Sequence, residues 1–247
     1  VILLVSLGEQ GLPLGELIEG PWASGLRQLL QHYSWLVVAG EDSIRLRQAD
    51  WVQAVVQLGG PERTELLAQF CQYLLVKLNT SGSLRLELKS LLDWITAARA
   101  GEAAWSALQS SAFRAWKEEQ VHLLDGSGQG HRKVALVASW LAVLELALQW
   151  GREKSPLQLH QVLEEQLWSY SSRGLTYRGL GRLHEALLDV EQAIAGFRPL
   201  VDQRPELLNG LAAAFNRRSE ILRELGRHSA ALQDADQAIQ MYSQIAD

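Results

Sequence analysis

The chain has 247 residues, 47% of them hydrophobic, and a formal net charge of −5. That length carries one large domain or two ordinary ones, and that apolar content excludes a disordered chain. The negative balance argues against a phosphate-binding surface, which needs a concentrated basic face. Leu, Ala, Gln, Glu and Arg dominate, while β-branched residues are thin outside the first fifty positions, so helix is predicted for most of the chain. Cys71 is the single cysteine, which rules out an internal disulfide or a Cys-based zinc site and points to a reducing, cytoplasmic setting. Within "LLAQFCQYLL" it reads as a small buried apolar residue.

The chain opens on "VILLVSLGEQ" without an initiator Met. The apolar run, about seven residues, is too short for a membrane span or a signal-peptide core. It reads as a buried helix, and the chain as a piece of a longer soluble protein. "GLPLGELIEG" turns into a second helix stopped by Gly20 and Pro21. "ASGLRQLLQHY" is a third, with Leu26, Leu29 and Leu30 at helical spacing. "WLVV" and "SIRLR", separated by "AGED", read as a short β-hairpin. Three helices followed by a hairpin predict a winged-helix-like unit over residues 1–58. Its third helix offers Arg27, Gln28, Gln31 and His32 to a groove, but the acidic tip "GEDS" repels a phosphate backbone, so nucleic acid is not the expected partner.

From Asp50 onward the pattern is helical. "DWVQAVVQL", "ERTELLAQFCQYLLVKL", "LRLELKSLLDWITAARA" and "AAWSALQSSAFRAWKEEQ" carry apolar residues every three or four positions, and residues 59–130 read as linker and capping helices. Past "DGSGQG" comes "HRKVALVASWLAVLELALQW", which opens a region of helical hairpins over 131–247. Trp94, Trp105, Trp116, Trp140 and Trp150 read as core, whereas Trp22 and Trp168 are candidate partner anchors.

That region says nearly the same thing twice. "YSSRGLTYRGLGRLHEALLDVEQAI" and "FNRRSEILRELGRHSAALQDADQAI" are offset by 45 residues, from Gly181 to Gly226. Arg173/Arg218, Arg178/Arg223, Leu187/Leu232, Asp189/Asp234 and Ile194/Ile239 are among the identical pairs. Each copy resolves into two helices, over 158–200 and 205–246. Gly181 and Gly226 sit where the first helix must stop, in the left-handed conformation that Gly adopts cheaply. Ala186, Ala193, Ala231 and Ala238 are small where the partner helix crosses closely. Pro205 opens the second long helix.

Tyr170, Gly174, Tyr177, Gly181, Ala186 and Ala193 fall on the pattern of a tetratricopeptide repeat (TPR), and the first copy resembles that family. Phe215, Gly226, Ala231 and Ala238 match in the second copy, where Ser219 and Leu222 replace the usual Gly and Tyr. The resemblance implies a mainly α fold, a TPR-type superhelix or α-solenoid, here preceded by the small winged-helix-like unit with one short β-hairpin. It also implies a non-enzymatic module whose groove binds a protein or peptide. The positions that face the groove in this family match Trp168, Ser171, Leu175 and Arg178 in the first copy and Ala213, Asn216, Glu220 and Arg223 in the second. Arg178 and Arg223 are candidates to clamp a carboxylate from a partner; the plainer reading is salt bridging within the face.

"SIRLRQADWVQAVVQLGGPERTELLAQFCQYL" resembles the region after the nucleotide-binding domain in STAND signalling ATPases, the NACHT and NB-ARC relatives. "LRLELKSLLDWITAARAGEAAWSALQSSAFRAWKEE" is similar to the helical linker of the nephrocystin-3-like branch. That resemblance implies the regulatory half of such an ATPase, with a nucleotide-binding domain upstream in the parent chain and further repeats after Asp247 as an expectation. A His that touches nucleotide in the family is replaced here by Arg47 and Gln48. A free-standing TPR scaffold or adaptor is the alternative, followed by a winged-helix DNA-binding regulator.

No catalytic or metal-binding set emerges. "DGSGQGHRK" lacks the Gly-Lys-Ser/Thr ending of a phosphate loop, since Val134 follows Lys133. His32, His122, His131, His160, His184 and His228 are scattered without zinc-site spacing. Glu118-Glu119 and Glu164-Glu165 read as solvated helix faces. No cofactor, no membrane and no enzymatic activity are expected.

Overall fold

The computed structural model describes residues 12–13, 37–39, 43–46, 64–65, 67–80, 84, 87–125, 128–155 and 158–246. The chain divides into two compact units, 1–118 and 119–247, with the boundary inside one helix.

In the first unit, β1 (Leu12–Pro13), β2 (Val37–Ala39) and β3 (Ser43–Leu46) form an antiparallel sheet in the order β1-β3-β2. Leu12 lies opposite Ile44 on one side of β3, and Val38 opposite Arg45 on the other. This corrects the expected fold class. From residue 64 on, the described residues contain no strand, and their fold is an α-helical repeat. Among the described residues the strands are confined to these short pieces. They make a three-membered ladder rather than one hairpin, and Leu12–Pro13 is a strand inside the stretch expected to turn into a helix. The reason is edge pairing: a lone two-stranded ribbon is marginal in water, and β1 satisfies the other side of β3. Apart from Leu12–Pro13, the helices expected in 1–33 and over 50–58 lie outside the described residues, so the winged-helix-like unit does not stand as a described element.

Helix α1, described over 67–80, buries Leu67, Phe70, Cys71, Leu74, Leu75 and Leu78, the three- and four-residue spacing of one helical face. Burial pushes the Cys71 thiol well above its ordinary range, as befits an inert core residue. Helix α2 (Leu88–Ala97) faces it, with the Trp94 and Phe70 rings 6.0 Å apart. After a turn in which Arg99 takes a positive φ of 47°, helix α3 (Gly101–Gln109) follows, then helix α4 (Ser111–Asp125). "AAWSALQSSAFRAWKEEQ" is therefore two helices, not one. Ser110 causes the break: its Oγ accepts the Phe113 N–H at 2.9 Å and donates to Asn79 Oδ1 at 2.6 Å. A serine that caps a new N-terminus ends the preceding helix.

The second unit runs through helices α5 (Gly130–Lys154), α6 (Leu159–Gly179), α7 (Leu183–Val201), α8 (Leu208–Glu224) and α9 (His228–Ala246). Each packs on the next, and α6 also meets α8. Helix α5 is long and apolar enough to cross a membrane by length and composition, yet it packs on α6 and buries Leu136, Val137, Trp140, Leu144 and Leu148. Its Trp140 Nε1 donates to Glu165 Oε1 at 3.0 Å, and Glu164 pairs with Arg204 at 3.0 Å. The Glu164-Glu165 pair is therefore half-buried and bonded rather than solvated.

Both repeat copies end their first helix alike. Gly181 and Gly226 have φ of 72° and 75°, and the N–H groups of Arg182 and Arg227 reach back to the carbonyls of Tyr177 and Leu222 at 2.9 and 2.8 Å. This is the Schellman closure that glycine permits. Ala186, Ala193, Ala231 and Ala238 are all buried at the helix crossings. Pro205 starts a 3₁₀ turn, Pro205–Leu207, that leads into α8. One core holds the two copies together, built from residues of α6 to α9 that include Leu187, Ile194, Phe197, Leu211 and Phe215.

Candidate partner-binding face of the repeats

Helices α6 and α8 open the two copies, and the eight positions read from the sequence as a groove lie on them. The structure separates these positions into three groups. Trp168 belongs to the seam between copies: its ring meets Phe197 edge-on at 5.5 Å, and both rings close over Gly210, where an added Cβ would come within 2.9 Å of the Phe197 ring. Ser171 is also inside the seam, fully buried and bonded to the Arg217 guanidinium of α8.

Arg178 and Glu220 form the second group. Arg178 Nη1 pairs with Glu220, and its Nε with Glu224 Oε1 at 2.7 Å, so one guanidinium ties the end of α6 to two carboxylates one turn apart on α8. The third group stays open. Leu175 is 43% exposed, Asn216 and Arg223 are exposed, and Ala213 is half-buried. Asn216 donates to Glu220 Oε1 at a long 3.5 Å, and Arg223 has no ion pair among the described residues. The face thus carries one apolar side chain, one amide and one unpaired cation around an internally neutralised cluster.

The ionic pairs that shape this face went unread in the sequence. Arg173 of α6 holds Asp189 of α7 through two bonds of 2.7 Å, and Arg218 of α8 holds Asp234 of α9 through bonds of 2.6 and 2.7 Å. The carboxylates are buried, and each guanidinium lies against aromatic rings: Tyr170 and Tyr177 at 5.7 and 5.8 Å for Arg173, Phe215 at 5.2 Å for Arg218. Asp189 and Asp234 each hold their arginine's pKa above its ordinary value. A bidentate Arg–carboxylate pair fixes distance and orientation together, which sets the angle at which the two helices of a copy cross. The signal was in the sequence: both members recur in both copies at the same separation. Arg217 differs, since burial pushes its guanidinium pKa down, and it bonds Ser171 across the seam.

Among the described residues, His122, His131, His160, His184 and His228 are all exposed, and Lys133 of the glycine loop is buried against Asp125 at 2.5 Å. Trp22 and His32 lie outside the described residues.

A comparison with curated proteins and with solved structures finds no match. A family model does match. Residues 166–198 and 211–246, within the stacked hairpins α6–α7 and α8–α9, match the tetratricopeptide repeat, and repeats of that family are protein-interaction modules.

Proposed function

We propose that the open face of α6 and α8 binds a segment of a protein partner, and that this module is the ligand-sensing part of a STAND-type signalling ATPase in the cytoplasm. The observation that carries the binding reading is Leu175, an exposed apolar side chain on α6, together with the exposed Asn216 and Arg223 on α8, the helices that such repeats use. An apolar contact flanked by an amide and a cation suits a peptide with one apolar side chain and a carboxylate. Arg178, held by Glu220 and Glu224, positions the two helices instead of contacting the partner directly. The ATPase half of the reading is supported by the helical region that precedes the repeats and by its resemblance to the STAND linker.

A photo-crosslinking side chain placed at Leu175 or at Asn216 tests the face. One and the same protein should be captured from both positions, and capture should be lost when the other position is changed, Leu175→Ser or Asn216→Arg. Leu188, exposed on α7, is the control position. Equal capture from Leu188 would sink the groove reading. Separately, a parent reading frame with no phosphate-loop domain before Val1 would remove the ATPase half and leave a scaffold.

A further inference from the structure

Residues of α7, α8 and α9 line an open cavity of about 460 Å³, a size that suits a small ligand. Leu211 and Phe215 of α8 and Met241 of α9 are its apolar part. Gln237, Gln240 and Gln244 of α9 also line it, and among the described residues their amides have no hydrogen-bond partner. Arg198, near the end of α7, and Asp202, one turn on, line it as well, and neither has an ion pair among the described residues. Opposite charges four positions apart on a helix ordinarily support each other. Here the Arg198 guanidinium lies over the Phe215 ring, 5.3 Å from its centroid, and its N–H edge stays free. Asp202 follows the last residue of α7, where the helix dipole disfavours an acid, so helix stability does not account for it.

We propose that this cavity binds a zwitterion with an apolar side chain, the chemistry shared by a free apolar amino acid and a short apolar peptide. The ligand's carboxylate accepts from the Arg198 guanidinium, and its ammonium donates to Asp202. Its side chain rests on Leu211, Phe215 and Met241, and the glutamine amides, which both donate and accept, meet a peptide group where there is one. The cavity is not the surface on which a further repeat would stack. Leu187 and Ile194 of α7, buried against α8, correspond to Leu232 and Ile239 of α9. At about 100° per residue, Gln237, Gln240 and Gln244 lie roughly 100–160° round α9 from Ile239, so the site holds whether or not a repeat follows Asp247. It shares no residue with the face of α6 and α8, and either can fail without the other.

The intact chain, nitrogen-labelled, is titrated with L-leucine and with L-leucyl-L-leucine while two-dimensional NMR follows the side-chain amides of Gln237, Gln240 and Gln244. Saturable shifts of these signals are expected, and the tighter ligand identifies the source as amino acid or peptide. Blocking either charge of that ligand, by amidation of the carboxylate or acetylation of the amine, should weaken binding about tenfold. Each loss should belong to one residue. The zwitterion should lose about tenfold with Arg198→Gln and with Asp202→Asn, whereas the amidated form should bind Arg198→Gln as it binds the parent, and the acetylated form should bind Asp202→Asn as it binds the parent. The blocked ligands need no altered protein, so a variant that folds poorly does not decide the result. Blocked forms that bind the parent as tightly as the zwitterion would overturn the inference. So would shifts confined to other residues, no saturation with either ligand, or a loss on blocking that is the same in the parent and in both variants.

Discussion

At the scale of single residues, the Arg–Asp clamps decide most. Asp189 and Asp234 are buried acceptors whose removal strands a guanidinium against aromatic rings and apolar side chains. Asp189→Ala should lower the unfolding free energy by about 2–3 kcal/mol, below the range for a fully buried pair because Arg173 retains some solvent. Urea denaturation checks this, and a loss under 0.5 kcal/mol, the size of a surface change, would show that the clamp contributes nothing net. Two surface carboxylates add to the acid sensitivity of the fold. Bonding to Arg182 holds the Glu185 carboxyl below its ordinary value, and bonding to its own backbone N–H and to Arg204 does so for Glu206. A folded-state pKa below the unfolded one gives stability that is present above the ordinary carboxylate value and lost as pH falls through the folded value. Thermal melts of Glu185→Gln/Glu206→Gln should therefore fall less steeply with acid than those of the parent below about pH 4.

At the scale of elements, helix ends and helix crossings obey different residues. Gly181 and Gly226 close α6 and α8 in the left-handed region. An alanine there should cost about 1 kcal/mol through backbone strain alone, since nothing crowds the added Cβ at either site. Gly174 is glycine for another reason. A Cβ at that position would lie 2.8 Å from Val190 Cγ2, so Gly174→Ala should cost about 1–3 kcal/mol by overpacking the α6–α7 crossing. Equal effects at Gly174 and Gly181 would contradict that distinction. The break at Ser110 belongs here too, because an apolar periodicity that runs through residue 110 carried the reading of one helix across a cap.

At the scale of the whole molecule, stability depends on neighbours more than on each copy. Leu187 and Leu232 are the same residue at the same repeat position, one covered and one open. Leu187→Ala should cost about 2–4 kcal/mol, whereas Leu232→Ala should stay within about 0.5 kcal/mol. Comparable losses in denaturation would mean that Leu232 is covered in solution, as by self-association. The polar seam works on the same principle: Arg178 and Arg217 join α6 to α8, so a change at either couples the two copies and is not confined to one.

The sequence by itself determined the two hairpins, the glycine closures, the small residues at the crossings and Cys71 as core, because each follows from local spacing or from backbone sterics that act within a few residues. It also placed the eight positions on the first helices of the copies. Only the tertiary structure decided which of them face solvent. Trp168 and Ser171 turn into the seam and Arg178 finds its carboxylates on α8, since burial at a repeat junction depends on a neighbour 45 residues away that periodicity cannot see. The third strand at Leu12–Pro13 has the same cause: a two-residue piece carries no alternation to read, and pairing with β3 alone makes it a strand.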